Sequence, residues 1–300
     1  MRAITLVNKG GGSFAEGVAD RIGKALASAG VDSEVLTVEG KDCAARAADH
    51  VKQGTGLIIA AGGDGTMGAV AGELAGSKSV MGMLPLGTLN HFARDLGIPD
   101  DLDEAAKLIA AGNLRQVDIA EVNGRAFVNN ASIGLYPLMV VDRDAQRQRL
   151  GRSKRLAMLV ASLRTMARFH KRRLRLGSDG GEARVDTPLL FVGNNDYHLA
   201  FPAAGQREAL DDGQLCVMVM RSKSLPGFLA ATGRALLGLR RPDDMVQLEG
   251  VKQLTVDSAR SHLTLAMDGE TISLATPLVF QIRPLALTVI APAQAALGKA

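Results

Sequence analysis

Over its first 120 residues the chain alternates short apolar runs with segments of helical spacing, and this alternation leaves few folds open. Ala3–Asn8 (AITLVN) reads as a buried strand. Ser13 then stands as an N-cap before Val18, Ile22 and Leu26 at helical spacing, with Gly30 as the stop. Glu34–Val38 predicts a second strand, Cys43–Gln53 a helix and Leu57–Ala61 (LIIAA) a third strand. The third does not alternate, which suits a parallel strand covered on both faces. A Gly-rich turn, a helix near Met67–Ala75, a fourth strand at Val80–Leu84 and helices after Thr88 and Leu102 complete the series. Repeated βαβ units imply a parallel sheet with its ligands at the carboxyl ends of the strands.

Beyond residue 120 the pattern changes. Gln116–Val122 and Ala126–Ser132 read as strands, and a basic helix is predicted over Ser153–Phe169. Short strands follow at Pro188–Val192, Leu215–Arg221, Met245–Leu248, Val251–Val256, Leu263–Met267, Thr271–Leu274 and Leu278–Ile282. Among them only Leu225–Leu237 reads as a helix. Closely spaced strands with turn residues between them predict an antiparallel β domain. The expected fold class is therefore α/β: a parallel-sheet nucleotide-binding domain over residues 1–120, then an antiparallel β-sandwich over 121–283. The last apolar run, Leu285–Ile290, can return to either sheet, so residues 284–300 could complete the first domain.

Composition narrows the function. Apolar residues make up 47% and charged residues 22% of 300 residues, enough to bury a core in each of two domains. Aromatics are 3% with no Trp, which argues against base stacking as the main grip on nucleic acid. Cys43 and Cys216 form no CxxC, so neither a disulfide scaffold nor a zinc ribbon is expected, and a cytoplasmic setting follows by default. No signal peptide is expected after Met1, and the longest uncharged stretches, Thr271–Ile282 and Pro284–Gly298, fall short of a bilayer span.

The sharpest local signal is Gly62-Gly63-Asp64-Gly65-Thr66, directly after LIIAA and before a helix. Glycines there let backbone approach a ligand and aim N–H groups at a phosphate. The plain alternative is a tight strand-to-helix turn with no ligand. No Walker GxxxxGK is present. Gly63–Gly68 satisfies GxGxxG, yet it sits in the third βα unit and no acid lies between Glu73 and Asp95 to hold a ribose, which speaks against a dehydrogenase. Asn130-Ala131-Ser132-Ile133-Gly134 approaches GxSxG but lacks the first glycine, so Ser132 reads as structural. The five histidines show no metal-binding spacing.

Four motifs occur in order: Gly62–Thr66 (GGDGT), Leu84–Arg94 (LPLGTLNHFAR), Leu210–Gly213 (LDDG) and Met267–Glu270 (MDGE). Together they resemble the diacylglycerol kinase catalytic family, especially the soluble bacterial lipid kinases related to sphingosine kinases. The resemblance implies ATP in a cleft between an α/β domain and a β-sandwich. It places the nucleotide at Gly62, Gly63, Asp64, Gly65, Thr66 and Met67, with Asn8, Thr37, Thr88 and Asn90 at matching positions. It gives Asp268 and Glu270 as the catalytic acids, one of which takes the proton of the lipid hydroxyl. It puts a Mg²⁺ at Asp212 with the backbone oxygens of Ala209 and Gln214. Phosphoryl transfer needs these parts: positioning, neutralisation of phosphate charge and a base. By strand alternation Asp268 and Glu270 point to the same side if the segment stays extended; read without the resemblance, Asp-Gly is a hairpin turn. The chain departs from the family at Asn8-Lys9-Gly10-Gly11-Gly12, at Gly68-Ala69 and at His91, where a carboxylate is usual.

Charge is unevenly spread. Net charge is +4, but Arg143–Arg175 holds twelve Lys or Arg against Asp144 alone, a local +11 that leaves −7 for the rest. Such a block is either a solvated face or a contact with an anionic surface. The expected function is an ATP-dependent lipid kinase, cytoplasmic and peripherally membrane-associated, docking through this block. The lipid itself stays open among diacylglycerol-like, phosphatidylglycerol and sphingoid acceptors. No nucleic-acid partner is expected, and a homodimer is compatible with the sequence. The alternatives are an NAD-kinase-like enzyme and a non-catalytic nucleotide- or lipid-binding regulator.

Overall fold

A computed structural model describes residues 3–10, 16–135, 171–178, 180–200, 205–207, 209–222, 224–239, 241 and 243–293. Ser13 and the basic helix read over Ser153–Phe169 lie outside these. The chain divides into two compact units: Met1–Ile119 with Arg283–Ala300, and Ala120–Ile282.

In the first unit β1 (Ala3–Asn8), β2 (Ser33–Val38), β3 (Leu57–Gly62) and β4 (Val80–Pro85) run parallel in the order β2-β1-β3-β4. The C-terminal part of β16 (Leu278–Ile290) adds beside β4, also parallel, with Val289 opposite Met81. From Ile58 to Gly62 every residue of β3 is buried, as a strand covered on both faces requires. The helices α1 (Val18–Ser28), α2 (Cys43–Lys52), α3 (Asp64–Leu74), α4 (His91–Asp95) and α5 (Leu102–Ala111) connect these strands; α1 packs on α5 and α2 on α3. Asp101 caps α5 by accepting the N–H groups of Asp103 and Glu104.

The second unit is a β-sandwich. One sheet has the antiparallel order β12-β11-β10-β7-β14-β15, built from Met245–Val251, Leu215–Met220, Leu189–Asn194, Asn130–Gly134, His262–Met267 and Glu270–Ala275. The facing sheet pairs β13 (Gln253–Asp257) with the first part of β16 and with β8 (Arg172–Ser178), and β8 with β9 (Gly181–Thr187). Here β5 (Leu114–Val122) pairs with β6 (Arg125–Phe127). Inward residues of both sheets make one core that includes Phe127, Ile133, Val192, Val217, Leu265 and Phe280, with Phe127 and Phe280 edge to face at 6.4 Å. One helix, α6 (Leu225–Leu236), follows β11, capped by Ser224.

Several elements differ from the sequence reading. Helix α3 starts at Asp64, not Met67, so three of the five GGDGT residues lie in its first turn. The strand read over Ala126–Ser132 is broken at Val128-Asn129 into β6 and β7. Arg172–Arg175, assigned to a basic block, lie on strand β8, where Arg173 pairs with Asp186 at 3.3 Å and Arg175 pairs with Asp257. That part of the block is partly neutralised within the unit. The two terminal strands read at Leu278–Ile282 and Leu285–Ile290 are one strand, bulged at Leu285 (φ 51), whose N–H is held by the buried Asp118 carboxylate at 2.8 Å. Ser132 sits mid-strand in β7 between β10 and β14, not at a strand-to-helix elbow.

Candidate functional site

At the end of β3 the chain turns into α3 with extended Gly63 as N-cap. The Met67 N–H donates to the Gly63 carbonyl at 3.0 Å. The N–H groups of Asp64, Gly65 and Thr66 precede that first helical bond, and helix geometry offers them no intrahelical acceptor. Glycine is required here by close approach. A Cβ on Gly62 would stand 2.4 Å from Thr66 Oγ1, and one on Gly87 would stand 2.6 Å from Gly63 Cα. The loops after β3 and β4 thus touch backbone to backbone.

Side chains fix the same cluster. Asn8 Nδ2 donates to Thr66 Oγ1 at 2.8 Å, while Asn8 Oδ1 accepts the Gly10 N–H at 2.8 Å. Asp64 Oδ1 accepts the Phe92 N–H at the start of α4 at 3.2 Å. Asn90 sits at left-handed φ 47; its Oδ1 accepts the Gly87 N–H at 2.9 Å and its Nδ2 donates to the Gly87 carbonyl at 3.1 Å. Of the residues predicted for the nucleotide, the structure brings together Asn8, Gly62–Thr66 and Asn90. Asn90 braces its own loop. Thr88 is exposed in that loop, and Thr37 is exposed on β2 opposite Val7. Met67 is 2% exposed and belongs to the core, with its N–H committed to the helix.

In the second unit Asp268 and Gly269 form a two-residue hairpin between β14 and β15, with φ 48 and 86, and Met267 opposes Glu270. The segment is therefore not extended, and strand alternation does not apply to the two acids. Both Asp268 oxygens are held by backbone: Oδ2 accepts the Val128 N–H at 2.9 Å, and Oδ1 accepts those of Asn129 at 2.9 Å and Asn130 at 3.2 Å. These donors lie at the break between β6 and β7. Glu270 is exposed.

Arg207, 6% exposed, braces the other side of that break. It donates to the carbonyls of Val128 (2.6 Å) and Asn194 (3.2 Å) and to Asn129 Oδ1 (2.9 Å), with its guanidinium 5.2 Å from the Tyr197 ring centroid. Burial raises the Asp268 carboxyl to about 6, while the three N–H groups and Arg207 hold it from rising further. Arg207, Asn129 and Asn194 were missed from sequence. The available signal was the pair of Asn-Asn dipeptides, 129–130 and 194–195, at strand ends.

The LDDG segment leads into β11. Asp212 is exposed and Ala209 half-buried. The Gln214 carbonyl accepts the Asn195 N–H at 3.2 Å, and its side chain joins Asp196 (2.8 Å) to the Gly250 N–H (3.2 Å). These donors are all oxygens, the set a hard cation such as Mg²⁺ takes together with water. Among the described residues no group of three or more His, Cys, Asp or Glu could hold a metal by side chains alone.

Residues 2–122 match the diacylglycerol kinase catalytic domain, and residues 138–291 match the YegS C-terminal NAD kinase beta sandwich-like domain. The chain belongs to the family of the YegS C-terminal NAD kinase beta sandwich-like domain, whose model spans just over half of it, and carries a match to the diacylglycerol kinase catalytic domain ahead of it. Similar curated proteins include a "Diacylglycerol kinase" of Bacillus subtilis (strain 168), 29% identical over 71% of each chain. A "Probable lipid kinase YegS-like" of Citrobacter koseri is 28% identical over 90% of each. Among solved structures, a candidate diacylglycerol kinase from Bacillus anthracis str. Sterne is 26% identical with a TM-score of 0.75, covering 97% of this chain and 95% of its own. Both units of the fold, the parallel-sheet α/β unit and the antiparallel sandwich, are thus matched by proteins named as diacylglycerol or lipid kinases.

Proposed function

We propose that the protein transfers the γ-phosphoryl group of ATP to a hydroxyl of a membrane lipid. The observation that carries this reading is the backbone contact of Gly63 with Gly87 at the head of α3. It is a cradle a single Cβ would fill, and it suits a polyphosphate. Asn8 and Thr66 tie the β1 loop to it, and Asp64 orients α4 beside it.

In the second unit we assign the two acids different tasks. Asp268 holds the turn, because both its oxygens are occupied by backbone N–H groups. Glu270, exposed at the next strand position, takes the proton of the acceptor hydroxyl. Mg²⁺ at Asp212, with the carbonyls of Ala209 and Gln214, supplies positive charge when bound. Docking to the lipid surface draws on the Arg143–Arg175 block. A second reading, transfer to a soluble nucleotide such as NAD, is favoured by the NAD kinase-like description of the matched sandwich.

The test is transfer of label from Mg·ATP to diacylglycerol, phosphatidylglycerol, ceramide and a sphingoid base in mixed micelles, with NAD as a further acceptor. A labelled lipid is the expected result. Labelled NAD would support the second reading. ATP binding with no labelled product on any acceptor would make the protein a regulator.

A further inference from the structure

Helix α6 and the turn after it carry their polarity the wrong way round for a surface helix. Across residues 225–239 the exposed positions are Pro226, Leu229, Ala230, Leu237, Gly238 and Leu239, none of them polar. Leu229, Leu237 and Leu239 are 45%, 72% and 59% exposed. The one charge in this segment, Arg234, faces the protein and pairs with Asp244 through two bonds of 2.6 and 2.7 Å. Only Ala231 of the helix is fully buried. A solvated helix shows its charges and hides its leucines. Scattered exposed leucines need no explanation, but an exposed face without one polar side chain is a surface meant to be covered.

Charge around the face selects what covers it. Arg221 and Arg241 flank it in the chain, and from Gly213 to Pro242 the sequence has no Asp or Glu. Arg221 and Arg241 are exposed. A second copy would bring the same cations against themselves in a two-fold contact. A bilayer carrying anionic headgroups asks for apolar side chains between cations and for no specific hydrogen bonds.

We propose that residues 225–239 dock on an anionic phospholipid surface, with Leu229, Leu237 and Leu239 among the acyl chains and Arg221 and Arg241 at the phosphates. The proposal deepens the lipid-kinase reading by naming a surface where such an enzyme meets its substrate. Membrane binding is measured without turnover, so each can fail alone.

The test is flotation of the full chain with vesicles of phosphatidylcholine, alone or mixed equally with phosphatidylglycerol. Binding is expected to the mixed vesicles and to weaken with salt. The doubly substituted Leu229→Asp, Leu237→Asp chain is expected to lose it. Arg221→Gln and Arg241→Gln are each expected to lower affinity about fivefold. These positions are exposed, so unchanged melting temperatures check that the variants are folded. Wild-type binding by the folded double variant would overturn the proposal, as would equal binding to both vesicles. So would a dimer that the double variant dissociates while vesicle binding persists. Lost vesicle binding in the variants, with no lipid labelled in micelles, would leave the docking surface standing and sink the kinase reading.

Discussion

A single peptide segment, Val128–Asn130, lies between a half-buried carboxylate and a buried guanidinium. Asp268 takes its N–H groups and Arg207 its carbonyl at Val128, so both charges pull on the same dipoles in the same sense. The Asp268 carboxyl stands near 6, above its ordinary 3.8. The folded chain therefore keeps a proton that the unfolded chain releases between about pH 4 and 6. Over that window this group makes stability fall as pH rises, and above it the contribution is flat. Asp268→Asn is expected to abolish this slope in urea melts taken across the window. It is also expected to cost about 1–3 kcal/mol at neutral pH, because one amide oxygen cannot serve three N–H donors. Glu270 has no such structural duty. Glu270→Gln is expected to leave the melting temperature and ATP affinity unchanged and to lower lipid phosphorylation roughly 10²–10⁴-fold. Equal losses in stability and activity would contradict the division of labour between the two acids.

At the scale of elements, the approach of the β3 and β4 loops is the feature least tolerant of change. Gly87→Ala places a methyl against Gly63 Cα and Asn90 Oδ1, within 2.6 Å of both. A loss of about 1–3 kcal/mol in thermal or chemical denaturation is expected, with weakened ATP binding by calorimetry. Strands β1, β3 and β4 were legible because buried parallel strands are unbroken apolar runs with glycine at their ends. The start of α3 was not, since Asp64-Gly65-Thr66 has poor helix propensity and becomes helical through the bond from Met67 to Gly63. Hairpin β8–β9 escaped notice because its arginines suggested a solvated helix. Yet Leu174 and Leu176 are buried while Arg173 and Arg175 are exposed, a period of two. The break at Val128-Asn129 was invisible locally: its cause, Asp268, is about 140 residues away. The GGDGT motif itself was legible, and what it touches, Gly87 and Asn8, was not, since spacing along the chain carries no record of loop contact.

For the whole molecule, the decisive trait is that the first unit is not continuous. Residues 283–300 belong with residues 1–119, and the chain passes between units within β5 and within β16. Leu287, Val289, Ile290 and Ala291 are 0–4% exposed, and Arg283 donates to the Ala75 carbonyl at 3.2 Å. Burial of each large side chain contributes about 1.5–3 kcal/mol, against a total stability of about 5–15 kcal/mol for a typical domain. A chain ending at Ile282 is therefore expected to lose protection of its first unit. Limited proteolysis should cut residues 1–119 rapidly while the sandwich residues persist. Equal protection of both units would show that the terminal strand segment is dispensable.

The returning strand also sets a schedule. On the ribosome, the flank of β4 waits unpaired while some 200 further residues are made, about 10–40 s at ordinary elongation rates. The sandwich is complete in the nascent chain before the first unit has its last strand. The unit that holds the GGDGT turn is begun first and finished last, and until then the flank of β4 stays open.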